Sequence, residues 1–345
     1  MPILWFCLVA IMIAAYVILD GFDIGAGIIH LSAARTDAER EAVLATIGPV
    51  WDGNEVWLIA GGGTLYFAFP ALYAAGFSGF YLPLMMVLWL LILRGISIEF
   101  RHLISNPIWR PFWDVIFCGS SALLAVFYGA ALGNVIRGVP LDNSGFFFLP
   151  LWYDFRLGRN AGILDWYTVL IGVAAFFTLT LHGSLWVALK TTAHVCERAK
   201  QIARRMWWGV AALSIVITAV SFRVQPHLVH AFAARPWGWI FPILAVIGIA
   251  GVRIFLERSE LRAFLCSSLA IAGMLGSAAF GLFPNVLPAA QDPRLSLTVY
   301  NASAATYGLT VGLAWWIPAF ILVIGYFVLT YRRFAGKVET STHGY

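Results

Sequence analysis

Stretches of twenty or more apolar residues, unbroken by alternation of polar and apolar positions, recur along almost all of this chain. Such runs exclude a half-buried strand, whose side chains alternate with period two. In lipid only helices and closed barrels satisfy their own backbone groups, so continuous runs mean helices. Composition agrees. Of 345 residues 61% are hydrophobic and 11% charged, and the mean hydropathy is +0.84, whereas a soluble domain carries about 25% charged residues. The expected class is all-α and polytopic, a single integral membrane domain over 1–345.

Nine spans are read at 3–31, 50–75, 79–101, 112–136, 163–189, 207–224, 237–256, 262–287 and 304–331. The N-terminal run lacks a basic leader, and Asp20 and Asp23 fall where a cleavage site would lie, so it is read as a retained first helix. Loops after odd-numbered spans hold Arg35, Arg40, Arg110, Lys190, Arg198, Lys200, Arg204, Arg205 and Arg258, and the tail adds Arg332, Arg333 and Lys337. The other side holds Arg137, Arg156, Arg159, Arg235 and Arg294. The positive-inside rule then puts the N-terminus outside and the C-terminus in the cytoplasm. A basic segment at 190–206 is a soft boundary, and the net charge of +5 at helix ends suits membrane orientation rather than nucleic acid.

The chemistry concentrates in the first three spans. Asp20 and Asp23 share a helix face near the inner end of the first. At 1.5 Å per residue Asp20 lies about 25 Å from the outer start. An ionisable group at such depth costs about 2.5–3.5 kcal/mol and calls for a partner, water or a function. Gly21 and Gly25 form a small-xxx-small pair that permits close helix approach. The second span opens on Asp52 and Glu55, which enter from the same side. Part of their presence is capping, since negative charge suits a helix N-terminus. The third ends with Arg94, Glu99 and Arg101. Arg94 lies within the apolar run and must be paired, with the acids of the first two helices as natural partners. Glu99 and Arg101 can instead reach the inner interface. Carboxylates strung through a membrane make a proton relay, an ion site or structural ion pairs. Trp57, inside the second span, is read as packing or as lining a small-molecule path.

Histidine argues against haem ligation. His30, His102, His194, His227, His230 and His343 sit near span ends, in loops or in the tail, leaving His182 within a span. A six-coordinate haem needs two axial ligands, so a hydrogen-bonded packing role suits His182 better. Cys7, Cys118, Cys196 and Cys266 are scattered without metal spacing and read as small buried hydrophobes.

Five segments carry a resemblance. Leu19-Asp-Gly-Phe-Asp-Ile-Gly-Ala-Gly27, Gly48-Pro-Val-Trp-Asp-Gly-Asn-Glu-Val-Trp-Leu-Ile59, Phe69-Pro-Ala-Leu-Tyr-Ala74, Phe77-Ser-Gly-Phe-Tyr81 and Arg94-Gly-Ile-Ser-Ile-Glu-Phe-Arg101 resemble subunit II of the cytochrome bd quinol oxidases, including the cyanide-insensitive branch. The resemblance is specific over the first 101 residues and weaker afterwards. It implies two four-helix bundles, 1–136 and 163–287, with an extra helix at 304–331. It also implies a bacterial cytoplasmic membrane complex that oxidises quinol and reduces dioxygen to water without pumping. The partner would be a haem-bearing subunit I holding two b haems and haem d, with room for small single-span accessory subunits. Membrane lipids surround the complex, and some members add an oxygen channel or a bound quinone. Asp20 and Asp52 match the family's cytoplasmic proton-pathway acids, with Asp23, Glu55 and Glu99 beside them. Trp57 matches a tryptophan linked to the oxygen route, and Glu55 departs from members carrying an amide there. The alternative from the acids alone is a proton- or ion-coupled secondary transporter, which would show inverted repeats; none is evident.

Overall fold

A computed structural model describes residues 1–158 and 162–338; Arg159 and His343 lie outside them. Among the described residues the fold is all-α apart from one small hairpin. Its helices are α1 (Pro2–Ala33), α2 (Asp37–Ile47), α3 (Trp51–Ala68), α4 (Pro70–Gly79), α5 (Tyr81–Phe100), α6 (Trp109–Arg137), α7 (Trp166–Lys190), α8 (Ala193–Val224), α9 (His227–Ala234), α10 (Ile240–Phe255), α11 (Glu260–Leu282) and α12 (Thr306–Arg333). The hairpin pairs β1 (Asn285–Leu287) antiparallel with β2 (Leu297–Thr298).

Among the described residues, eight helices are long and apolar enough to cross a bilayer: α1, α5, α6, α7, α8, α10 with its preceding turn, α11 and α12. The ninth expected span, 50–75, is divided. Pro70 has no N–H and pushes Phe69 out of helical geometry (φ −134°, ψ 64°). The first half, α3, is 18 residues long and carries Asp52, Asn54 and Glu55, which lower its hydropathy.

Two helices, α2 and α9, lie outside every expected span, and a third, α8, begins well before its own. α2 occupies the loop after the first span. Thr36 accepts from the Glu39 amide while Glu39 reaches back to the Thr36 amide, a capping box. Its apolar face (Val43, Leu44 and Ile47) then joins the core. The basic segment expected as a boundary at 190–206 is helix from Ala193 onward, so α8 starts fourteen residues before the span at 207.

α1 is the axis, packing against α3, α6, α7 and α11. Its N-terminal half buries only Trp5, Val9, Met12 and Tyr16, whereas nearly every residue from Asp20 to His30 is buried. A helix buried all round needs close neighbours. Gly25 provides one. A Cβ there would meet the Leu179 carbonyl at 2.0 Å, and one on Gly183 would meet the Gly25 backbone at 2.2 Å. The expected close approach at Gly25 is therefore the α1–α7 crossing. α12 buries only Leu309; its Trp316 and Phe320 rest beside Trp5 and Trp57. Together α1, α3 and α12 border an apolar crevice of about 550 Å³.

Candidate functional site

The buried end of α1 and the first turns of α3 converge on Arg94 of α5. Asp20, Asp23, Asn54 and Arg94 are each at most 1% exposed. Arg94 Nη2 stands 2.7 Å from Asp20 Oδ1 and 3.3 Å from Glu55 Oε2. The charges touch, yet Nε, Nη1 and Nη2 of Arg94 and both Asp20 oxygens lack aligned hydrogen bonds. Asp23 accepts from the Asn54 amide at 2.8 Å, and the Tyr331 hydroxyl donates to the Asn54 carbonyl at 2.9 Å. One turn beyond Asp20, the Tyr16 and Tyr128 hydroxyls lie 2.7 Å apart. Three acids around one arginine leave an excess of buried acid, a composition suited to holding and passing a proton.

The expected residues thus divide. Asp20, Asp23, Glu55 and Arg94 meet. Asp52 and Glu99 are exposed on the flank of the helices. Arg101 does not pair with the membrane acids; it closes a different cluster. Its Nε donates to Asp114 Oδ1 at 2.7 Å, its Nη1 to Glu41 Oε2 at 2.8 Å and its Nη2 to Asp37. Asp114 also takes Arg40 at 3.2 Å and His30 at 2.7 Å. This separation follows from α2, which carries Asp37, Arg40 and Glu41 beneath the end of α5. Trp57 is 8% exposed and packs on Phe320 and Phe327 at 5.9 and 5.5 Å between ring centres; the residues lining the crevice include Met12, Ala60 and Phe320 beside it.

Sequence reasoning missed Tyr16, Asn54, Tyr128, Tyr331 and the His30–Asp114 pair. Tyr16 precedes Asp20 by one turn and Asn54 sits between Asp52 and Glu55, so both had a local signal. Tyr331 had none, since it reaches the site from the far end of the chain.

Two of the histidines, His182 and His30, are engaged by protein groups. His182 is fully buried with both ring nitrogens engaged, Nδ1 with Ser267 Oγ at 2.7 Å and Nε2 with the Ile18 carbonyl at 2.9 Å. Its ring stacks on Phe264 at 4.8 Å. His30 is committed to Asp114.

A family model described as cytochrome bd terminal oxidase subunit II matches residues 1–334. The probable cytochrome oxidase subunit 2 of Haemophilus influenzae is 29% identical, over 98% of this chain and 95% of that protein. The cytochrome bd-I ubiquinol oxidase subunit 2 of Escherichia coli K12 is 29% identical over 99% and 97%. The cytochrome bd ubiquinol oxidase subunit 2 of Bacillus subtilis is 30% identical over 97% and 96%. In solved structures, a chain of the bd oxidase from Geobacillus thermodenitrificans superposes with a TM-score of 0.74, covering 97% of this chain and 98% of that one at 17% identity. That likeness is one of fold.

Proposed function

This chain belongs to the cytochrome bd terminal oxidase subunit II family, and from that premise we propose how it serves an oxidoreductase complex of the bacterial inner membrane. It partners a haem-bearing subunit I, in which quinol is oxidised and dioxygen reduced to water. It ligates no haem. Its tasks are to stabilise that partner and to conduct protons from the cytoplasmic side, with its N-terminus outside and its C-terminus inside.

One observation carries the conducting role. Asp20 is fully buried beside Arg94, yet neither oxygen has an aligned hydrogen bond. A purely structural pair in this setting would saturate both groups, since buried polar atoms are costly when unpartnered. An arginine that supplies charge without locking the carboxylate leaves Asp20 free to exchange a proton. Glu55, partly exposed at 21%, and the exposed Asp52 stand on the side from which that proton arrives. Trp57 is a packing residue of the same wall.

The test is Asp20→Asn in the complex purified with its partner. Haem content and assembly are expected to hold while quinol-driven oxygen consumption falls by about two orders of magnitude, the scale of a lost acid–base group. Unchanged turnover would remove the conducting role.

A further inference from the structure

Tyr16, Asp20, Asp23, Gly27 and His30 follow one another at steps of four and three along α1, so they form one stripe. Asp114, Ser121 and Tyr128 repeat every seven residues on α6 and form a second. The two stripes face each other in opposite directions. Tyr16 meets Tyr128 at 2.7 Å, and His30 meets Asp114 at 2.7 Å. Between them Gly27 lies against Ser121, where a Cβ would come 2.1 Å from Ser121 Oγ. A polar seam therefore runs between α1 and α6 from the Arg94 site to the Asp114 cluster.

Along this seam three buried atoms have no protein hydrogen-bond partner: His30 Nδ1, Ser121 Oγ and Asp23 Oδ1. His30 is 0% exposed, Ser121 0% and Asp23 1%. Buried polar atoms are nearly always partnered, by ordered water where protein does not reach. Three such atoms in succession on facing stripes mark a place for water. At the far end, Asp114 is tied to Arg40 and Arg101, and beyond Arg101 stand Asp37 and Glu41, each 52% exposed. His102 lies 3.5 Å from Glu41. The chain of groups thus begins at water and ends at Asp23.

Resting on the proton-pathway reading above, we propose that the His30–Asp114 pair is an entry to that pathway, and that His30 passes protons to Asp23 through water held at Ser121. In the imidazolium each ring nitrogen carries a proton. The Nδ1–H bond breaks, its proton goes to seam water, and a proton of that water file bonds to Asp23 Oδ1. The neutral ring is left with Nε2–H donating to Asp114. The next proton, arriving from the water-facing end of the Asp114 cluster, re-forms the imidazolium. Asp114 positions the ring, and Arg101 and Arg40 hold Asp114.

The experiment uses the complex with its partner subunit and four variants: His30→Gln, His30→Ala, Ser121→Ala and Asp20→Asn. The expected result is normal haem content in His30→Gln with turnover on the order of a hundredfold lower. Ser121→Ala, which touches no ion pair, shows a smaller loss with a raised solvent deuterium isotope effect. Added imidazole restores His30→Ala in part and leaves Asp20→Asn unchanged. If His30→Gln destabilises the complex, Ser121→Ala and its isotope effect decide alone. Wild-type turnover in His30→Gln beside an impaired Asp20→Asn would overturn this entry and leave the pathway through Asp20 standing. Loss of haem in both His30 variants with a wild-type Ser121→Ala would make the pair a structural clasp and overturn it as well. Full activity in Asp20→Asn would remove the underlying reading, and the entry with it.

Discussion

Arg94 and Arg101 stand two turns apart at the end of α5, each 1% exposed and each ringed by acids. Arg101 is saturated. Its Nε, Nη1 and Nη2 each donate to a different carboxylate, from the α2 region and α6. Arg94 touches Asp20 and Glu55 but has no aligned donor among the same three nitrogens. The difference separates two uses of buried charge. A fork with every hydrogen directed holds helices in place. A fork that only balances charge is what the proposed proton exchange through Asp20 requires.

Arg101→Leu should have the largest effect on the fold. It leaves Asp114 buried with a weaker set of partners and frees Asp37 and Glu41, at about 3–5 kcal/mol, the cost of breaking a buried pair. Thermal unfolding of the solubilised complex should show that loss, and little chain should survive in the membrane. Arg94→Leu combined with Asp20→Asn removes both members of the other pair. It should accumulate and bind haem near wild-type levels yet fail in oxygen consumption. If this double variant is instead as poorly assembled as Arg101→Leu, the two arginines do the same job and the contrast collapses.

The smallest effect sharpens the structural side. Glu39 caps the helix that presents Asp37 and Glu41. Partial burial raises its carboxyl, but the Arg35 and Thr36 amides and the Arg198 guanidinium outweigh this and hold it below the ordinary range. A depressed acid stabilises the fold above its unfolded value, and that share is lost as pH falls through the folded one. Glu39→Gln should therefore cost about 1 kcal/mol at neutral pH, the scale of a lost cap. Stability curves of variant and parent should converge once the medium is acidic enough to protonate Glu39. A difference that persists there would mean the amide-capping geometry, and not the charge, was lost.

Several features were legible in the residues alone. Long apolar runs meant membrane helices, because lipid offers the backbone no other partner. Asp20, Asp23, Asp52, Glu55 and Arg94 stood out because charge in such runs is expensive. Gly25 announced a close crossing. The family motifs were legible too, and three of the five, those at 19–27, 48–59 and 94–101, lie where these residues meet. Tertiary structure decided the rest. Pro70 breaks a span that hydropathy reads as one, since a missing N–H and a restricted neighbour leave no hydropathy signal. α2 was hidden because its surface face is charged and only its buried face is apolar.

Which acid meets which arginine was beyond local reading as well. Asp20 and Arg94 are 74 residues apart, and their pairing depends on how α1, α3 and α5 rotate about their axes. Tyr331, 277 residues from Asn54, reaches the site only because α12 folds back along α1 and α3. Periodicity states which side chains share a face of one helix. Only packing states which faces meet, because that choice is made by close contacts such as Gly25 on Gly183, which no single segment contains.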